Sequence, residues 1–182
     1  PQSPGGSLIA GSNSITLSPV PNGVNGTDVN HWLYISGGAG TAEAVKITGG
    51  TAVAGAASGT LIFNCAHTHS GAWTIGTATG GLAEAHQAIV SATGRGAIQI
   101  TAPTTMHQGV YSSGSSERIL FVGLGREATL VIRAQDYANG NLFENAGASW
   151  YMRDLGIDNG LPSPGSMSGA AVYCGPGQIQ MN

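Results

Sequence analysis

The chain has 182 residues, of which only 8% are charged and 30 are glycine, and its net charge is −3. That length suits one domain, or a small domain joined to part of another, and can bury a real core. The basic residues are scattered and form no stripe to neutralise a phosphate backbone, and no apolar run reaches the roughly 18 residues that span a bilayer. Neither nucleic-acid binding nor a transmembrane helix is therefore expected. Ser, Thr, Asn and exposed backbone must supply solubility, a composition that suits extracellular or virion-surface β proteins.

Residues 1–6, Pro1-Gln2-Ser3-Pro4-Gly5-Gly6, have neither a basic nor an apolar stretch. They read as a flexible lead-in, and any secretory leader would lie upstream. Residues 7–78 alternate short β runs with glycine-rich turns. The runs are Ser14 to Leu17, His31 to Ile35, Ala44 to Ile47, Leu61 to Phe63 and Trp73 to Ile75. Asn22-Gly23 and Asn25-Gly26 are turn dipeptides, because both residue types tolerate positive φ. Several short strands so punctuated predict a small, antiparallel all-β module used for attachment, spacing or capping.

Gly80-Gly81 breaks this pattern, and residues 79–93 predict one helix. Leu82, Ala85, His86 and Ile89 follow i, i+3, i+4, i+7 spacing and make one apolar stripe. Thr79 is the expected N-cap, Glu84 suits the positive end of the helix dipole, and Gly94 ends the segment. A helix this short needs a surface to pack on, and the open end of a stacked β structure is the natural one.

Residues 94–182 carry a loose repeat. Ile119 to Val122, Leu130 to Ile132 and Leu142-Phe143 are followed, in order, by Tyr151-Met152, Leu155 to Ile157 and Ala171 to Tyr173, then by Ile179 to Met181. Matching members lie 32 (Leu120 to Met152), 26 (Val131 to Ile157), 29 (Phe143 to Val172) and 27 (Met152 to Ile179) positions apart. Ala97 to Ile100, a turn through Pro103 and Gly109 to Tyr111 precede them as a first coil, with Tyr111 matched to Phe143. Such a period is that of a β-solenoid whose turns vary in length.

The order of elements resembles the start of right-handed parallel β-helix proteins of the pectin-lyase-like superfamily, which includes phage tail spikes and bacterial polysaccharide-degrading proteins. The resemblance rests on Leu82 to Val90, Gly109 to Tyr111, Leu120 to Ile132 and Met152 to Asp158, and covers about residues 80–182. It implies an all-β fold: a small β module, one capping helix, then the first coils of a right-handed parallel β-helix, truncated at the C-terminus. It further implies a structural, attachment-proximal segment of a surface or tail-spike-like protein that engages polysaccharide, in a homo-oligomer, a trimer by likeness to tail spikes. The alternatives are the front portion of an extracellular polysaccharide lyase or glycoside hydrolase, and a self-assembling solenoid filament.

Candidate chemistry is sparse. Asp154 and Asp158 would share a face of an extended segment but stand roughly 13 Å apart at ~3.3 Å per residue. Paired-acid glycosidases need about 9.5 Å or less, so no catalytic residue is assigned. Cys65, His67 and His69 fall on alternate positions, yet a structural zinc site wants four ligands, and neither Cys174 nor His86 is placed by sequence to complete it. No metal and no cofactor is expected. Cys65 and Cys174 read as two buried thiols, with a disulfide as the alternative. Gly123 and Gly125 read as a tight corner between strands, since no helix follows to hold a phosphate. Arg118, Arg126 and Arg133 read as solvated strand ends, with acidic-sugar contact as the alternative. Trp73, Trp150 and Tyr151 are further flat rings, and Asn25-Gly26-Thr27 matches a glycosylation sequon. Trp32 and Tyr34, opposite Leu33 and Ile35, are the assigned contact residues for carbohydrate or a partner.

Overall fold

The computed structural model describes residues 2–29, 31–112, 114, 116–134, 136–137, 140–158, 172–174 and 178–181. They are β-rich with one helix, and the chain divides into two units, residues 1–78 and 79–182.

Period-two alternation builds the first unit. Strands β1 (Gly11–Leu17), β2 (Trp32–Ala39), β3 (Glu43–Gly50), β4 (Gly59–Cys65) and β5 (Ser70–Thr77) form an antiparallel sheet in the order β1-β4-β3-β2-β5. Successive side chains point to opposite faces. Leu33 and Ile35 of β2, Val45 and Ile47 of β3, and Leu61 and Phe63 of β4 are consequently buried together, with Trp73 and Ile75 of β5 completing one cluster. The lead-in expected to be flexible carries paired backbone. Gln2 exchanges amide–carbonyl bonds with Ile75, Leu8 does so with His69, and the Trp73 indole donates to the Gly6 carbonyl at 2.9 Å. The outer edge of β5 is thereby occupied, which removes a template for edge pairing.

The second unit begins with α1 (Leu82–Ala92). Its N-cap is Gly81 rather than Thr79, because Gly81 takes the left-handed conformation (φ 94°) that starts the turn. The Thr79 hydroxyl still accepts the Ala83 amide at 3.0 Å. Leu82 and His86 are buried, and the helix packs on the strands that open two of the following sheets. His86 also bonds Glu117 at 2.9 Å, both side chains almost fully buried, and so ties the helix to the start of a strand.

Three parallel sheets follow. One contains β6 (Arg95–Gln99), β9 (Arg118–Val122), β12 (Ser149–Arg153) and β15 (Gln178–Met181). The second contains β7 (Thr104–Met106), β10 (Leu130–Arg133) and β13 (Gly156–Asp158), and the third β8 (Val110–Tyr111), β11 (Phe143–Asn145) and β14 (Val172–Cys174). In each sheet, neighbours are every third strand of the chain. Helix α1 contacts β6 and β8.

The expected pairs Val131 with Ile157 and Phe143 with Val172 are in register. Others slip. Met152 lies opposite Phe121 and Met181 rather than Leu120 and Ile179, and Phe143 lies opposite Val110 rather than Tyr111. Burial explains the shifts to Phe121 and Val110, since a one-residue slip reverses every side chain. Phe121, Met152, Val110 and Phe143 are all buried, whereas Tyr111 is exposed and Leu120 only half-buried. Strand β7 replaces part of what was expected to be a plain turn through Pro103, its Met106 fully buried beneath the sheet.

The centre of this unit is aromatic. Phe121 meets Trp150 at 5.3 Å and Phe143 at 5.3 Å, and His86 meets Trp150 at 5.4 Å, all edge to face. Such geometry opposes the positive edge of one ring to the negative face of the next. At the β9 to β10 corner, a side chain on Gly123 would overlap the Asp154 carbonyl of the following rung, so only glycine fits there.

Candidate functional site

Parallel pairing in register lines up outward residues as surely as inward ones. In the β8-β11-β14 sheet, Val110, Phe143 and Val172 face the core, and Tyr111, Glu144 and Tyr173 form the outward row. Tyr111 and Tyr173 are 42% and 49% exposed, which leaves ring surface free for a ligand. Parallel strands stand about 4.8 Å apart, so the two tyrosines are separated by about 10 Å with the carboxylate between them.

A polar network holds this row. The Tyr111 and Tyr137 hydroxyls share a hydrogen bond at 2.8 Å, with the Gln108 side-chain oxygen 3.2 Å from Tyr111 and the Asn141 carbonyl 3.0 Å from Tyr137 as acceptors for the remaining proton. The Asn141 amide donates to Glu144 at 2.9 Å. Below lies Arg133, expected at a solvated strand end but 1% exposed. Its guanidinium donates to the Tyr137 and Gly140 carbonyls and sits 5.5 Å over the Tyr137 ring. Those carbonyls and the ring face compensate a charge that would otherwise be costly to bury. Burial lowers the Arg133 pKa, and burial together with the bond to Tyr111 raises that of Tyr137. The upward shift keeps Tyr137 protonated at neutral pH. Beside them His107 and Asp136 bond at 2.8 Å.

Other outward features are weaker. Tyr151 is 40% exposed on β12, opposite Leu120 and Gln180. A shallow depression is lined by Met152, Leu155, Ile157 and Met181 and rimmed by Arg126 and Arg153.

The remaining sequence candidates sort clearly. Trp73 and Trp150 are core residues and present no ring to a ligand. Trp32 and Tyr34 do lie opposite the buried Leu33 and Ile35, each half-buried on the outer face of the first sheet. Asp154 and Asp158 are exposed. Asp154 takes positive φ (57°) beside Arg153, bending the segment expected to be extended, and Asp158 ends β13. Asn159 and Gly160, read as its turn, lie outside the described residues. The Asn25 side chain of the sequon accepts the Ala54 amide at 3.0 Å. Cys65 is a buried free thiol, and the Cys174 side chain lies outside the described residues.

One grouping was not legible in the sequence. Glu43, at the start of β3, joins Cys65 and His69, and one ligand-capable atom of each lies within 4.8 Å of the others. His67 stands exposed outside this cluster. An antiparallel neighbour 22 residues upstream of Cys65 leaves no local pattern to find. The row at Tyr111, Glu144 and Tyr173 was hidden for a related reason: half of it depended on a one-residue register.

Comparison with family models, curated proteins and solved structures found no match.

Proposed function

We propose that residues 94–182 form the first coils of a right-handed parallel β-helix, and that the chain is a structural, attachment-proximal segment of an extracellular or virion-surface protein that engages polysaccharide. The observation that carries this reading is the cyclic pairing of every third strand in three parallel sheets, with α1 against the first rung. Stacked rungs make a stiff shaft because each adds a backbone ladder and a layer of apolar side chains to the one before.

The outward row of Tyr111, Glu144 and Tyr173 is the glycan contact in this reading. Aromatic faces stack on the apolar faces of sugar rings while carboxylate and amide groups take hydroxyl protons. Trp32 and Tyr34 offer a second, flatter contact. The homo-oligomer, a trimer by likeness to tail spikes, belongs to the same proposal.

Affinity electrophoresis of the full chain through gels containing individual acidic and neutral bacterial polysaccharides tests it. At least one glycan should retard the chain, and the double substitution Tyr111→Ala, Tyr173→Ala should remove most of the retardation while the circular dichroism spectrum is kept. Unretarded migration with every glycan, or retardation untouched by that double substitution, would overturn the contact assignment.

A further inference from the structure

We infer that the end of the first sheet holds a divalent transition-metal site, with zinc as the best-suited ion, built from Cys65 Sγ, a His69 ring nitrogen and a Glu43 carboxylate oxygen. This stands apart from the polysaccharide reading and uses none of its residues.

Three observations converge. The first is the donor set: thiolate, imidazole and carboxylate are the three side-chain types that bind zinc, and here one atom of each lies within 4.8 Å of the other two. A tetrahedral ion with bonds of about 2.0 to 2.3 Å places its ligands about 3.3 to 3.7 Å apart. The His69 Nε2 to Glu43 separation, 2.8 Å, must open to admit an ion, and a separation at the 4.8 Å limit would close by about 1 Å.

The second is preorganisation. The Glu43 carboxylate accepts the amides of Ala66 at 2.7 Å and His67 at 2.9 Å as well as the His69 ring. Those three contacts fix the Glu43 carboxylate toward the cluster.

The third is an orphan. His69 is 1% exposed and gives Nε2 to Glu43, yet its Nδ1 is buried with no hydrogen-bond partner. Buried polar atoms are ordinarily satisfied, so this one asks for an explanation. Because the Glu43 carboxylate only accepts, Nε2 carries the proton in this contact and Nδ1 holds a lone pair with no donor; an ion bound at Nε2 shifts that proton to Nδ1. Gly40, at φ 123°, keeps that side of the ring clear: a Cβ there would come within 3.0 Å of Nδ1.

The same trio is not a nucleophilic triad. Cys65 is 5% exposed, and burial with the Glu43 charge pushes its thiol up to about 11, so at neutral pH it is protonated and inert. A cation reverses that preference. Binding breaks the S–H bond, forms the metal–sulfur bond and releases the Cys65 proton to solvent. Three protein ligands leave the fourth position to water.

The test uses the full chain, stripped with chelator and titrated with Zn²⁺ or Co²⁺ alone. One ion per chain should bind with release of at least one proton, and Co²⁺ should show an intense thiolate-to-metal charge-transfer band. Cys65→Ser should abolish that band, and Glu43→Gln, nearly isosteric, should weaken Zn²⁺ binding at least tenfold. Circular dichroism of the metal-free variants checks that they fold; if Cys65→Ser does not, Glu43→Gln and the proton release decide. No uptake by the stripped chain, a charge-transfer band that survives Cys65→Ser, or affinity within twofold of the parent in Glu43→Gln would overturn the site.

Discussion

The two units solve the same problem, covering one face of a β sheet, by opposite pairings. In the first, Ile35 pairs with Glu43 only 8 positions on, across a turn, and the chain returns antiparallel. In the second, Phe121 pairs with Met152, 31 positions on, and nothing is in place until a full circuit of three strands has been made. Closing long loops costs entropy before contacts repay it, so the second unit leans harder on the quality of its core. That core has three aromatic rings edge to face and buries His86, Glu117 and Arg133, each with a partner. The first unit is mostly aliphatic, and the Glu43 carboxylate, bonded to two amides and a histidine, sits at the sheet end.

The sharpest break of this comparison is at the two buried tryptophans. Trp150→Ala and Trp73→Ala should each cost about 3 to 5 kcal/mol in urea unfolding followed by circular dichroism, since each deletes a fully buried large ring. The phenylalanine variants should then separate the units. Trp73 Nε1 donates to Gly6 whereas Trp150 Nε1 is buried without a partner. Trp73→Phe should therefore lose about 1 kcal/mol more than Trp150→Phe. Equal losses would mean the lead-in contact contributes nothing.

Glycines give the next contrast. Gly123→Ala forces a methyl onto the Asp154 carbonyl of the adjacent rung and should cost about 2 to 3 kcal/mol. Gly71→Ala, in open space at φ 74°, pays only the left-handed conformation, about 1 kcal/mol. Thermal melts of both variants would test the ordering, and a cheaper Gly123→Ala would show that rungs separate more easily than their close approach implies.

The smallest effect is acid sensitivity of the first unit. Glu43 has a folded pKa below 4.5, so its contribution is present above about pH 4.5 and is lost as pH falls through the folded value. Glu43→Gln should flatten the fall in melting temperature of this unit over that acid window. A parent and variant with identical acid profiles would remove Glu43 from the account.

The alternation of Leu33 with Ile35 and of Leu61 with Phe63 made the first sheet visible as strands, because burial on one face writes itself at every second position. The recurrence of Val131 at Ile157 and of Phe143 at Val172 made parallel neighbours visible, because stacked positions share one core environment. Local pattern also placed the helix and its glycine stop.

Tertiary structure decided what no neighbouring residue encodes. Burial of Val110 rather than Tyr111 set a register that turned Tyr111, Glu144 and Tyr173 outward, and an antiparallel partner brought Glu43 to Cys65 and His69. Arg133, which composition sends to solvent, went inside because two carbonyls and a tyrosine ring were waiting there. Periodicity reports which face of a strand is apolar, but only the folded chain chooses which residues of distant segments meet.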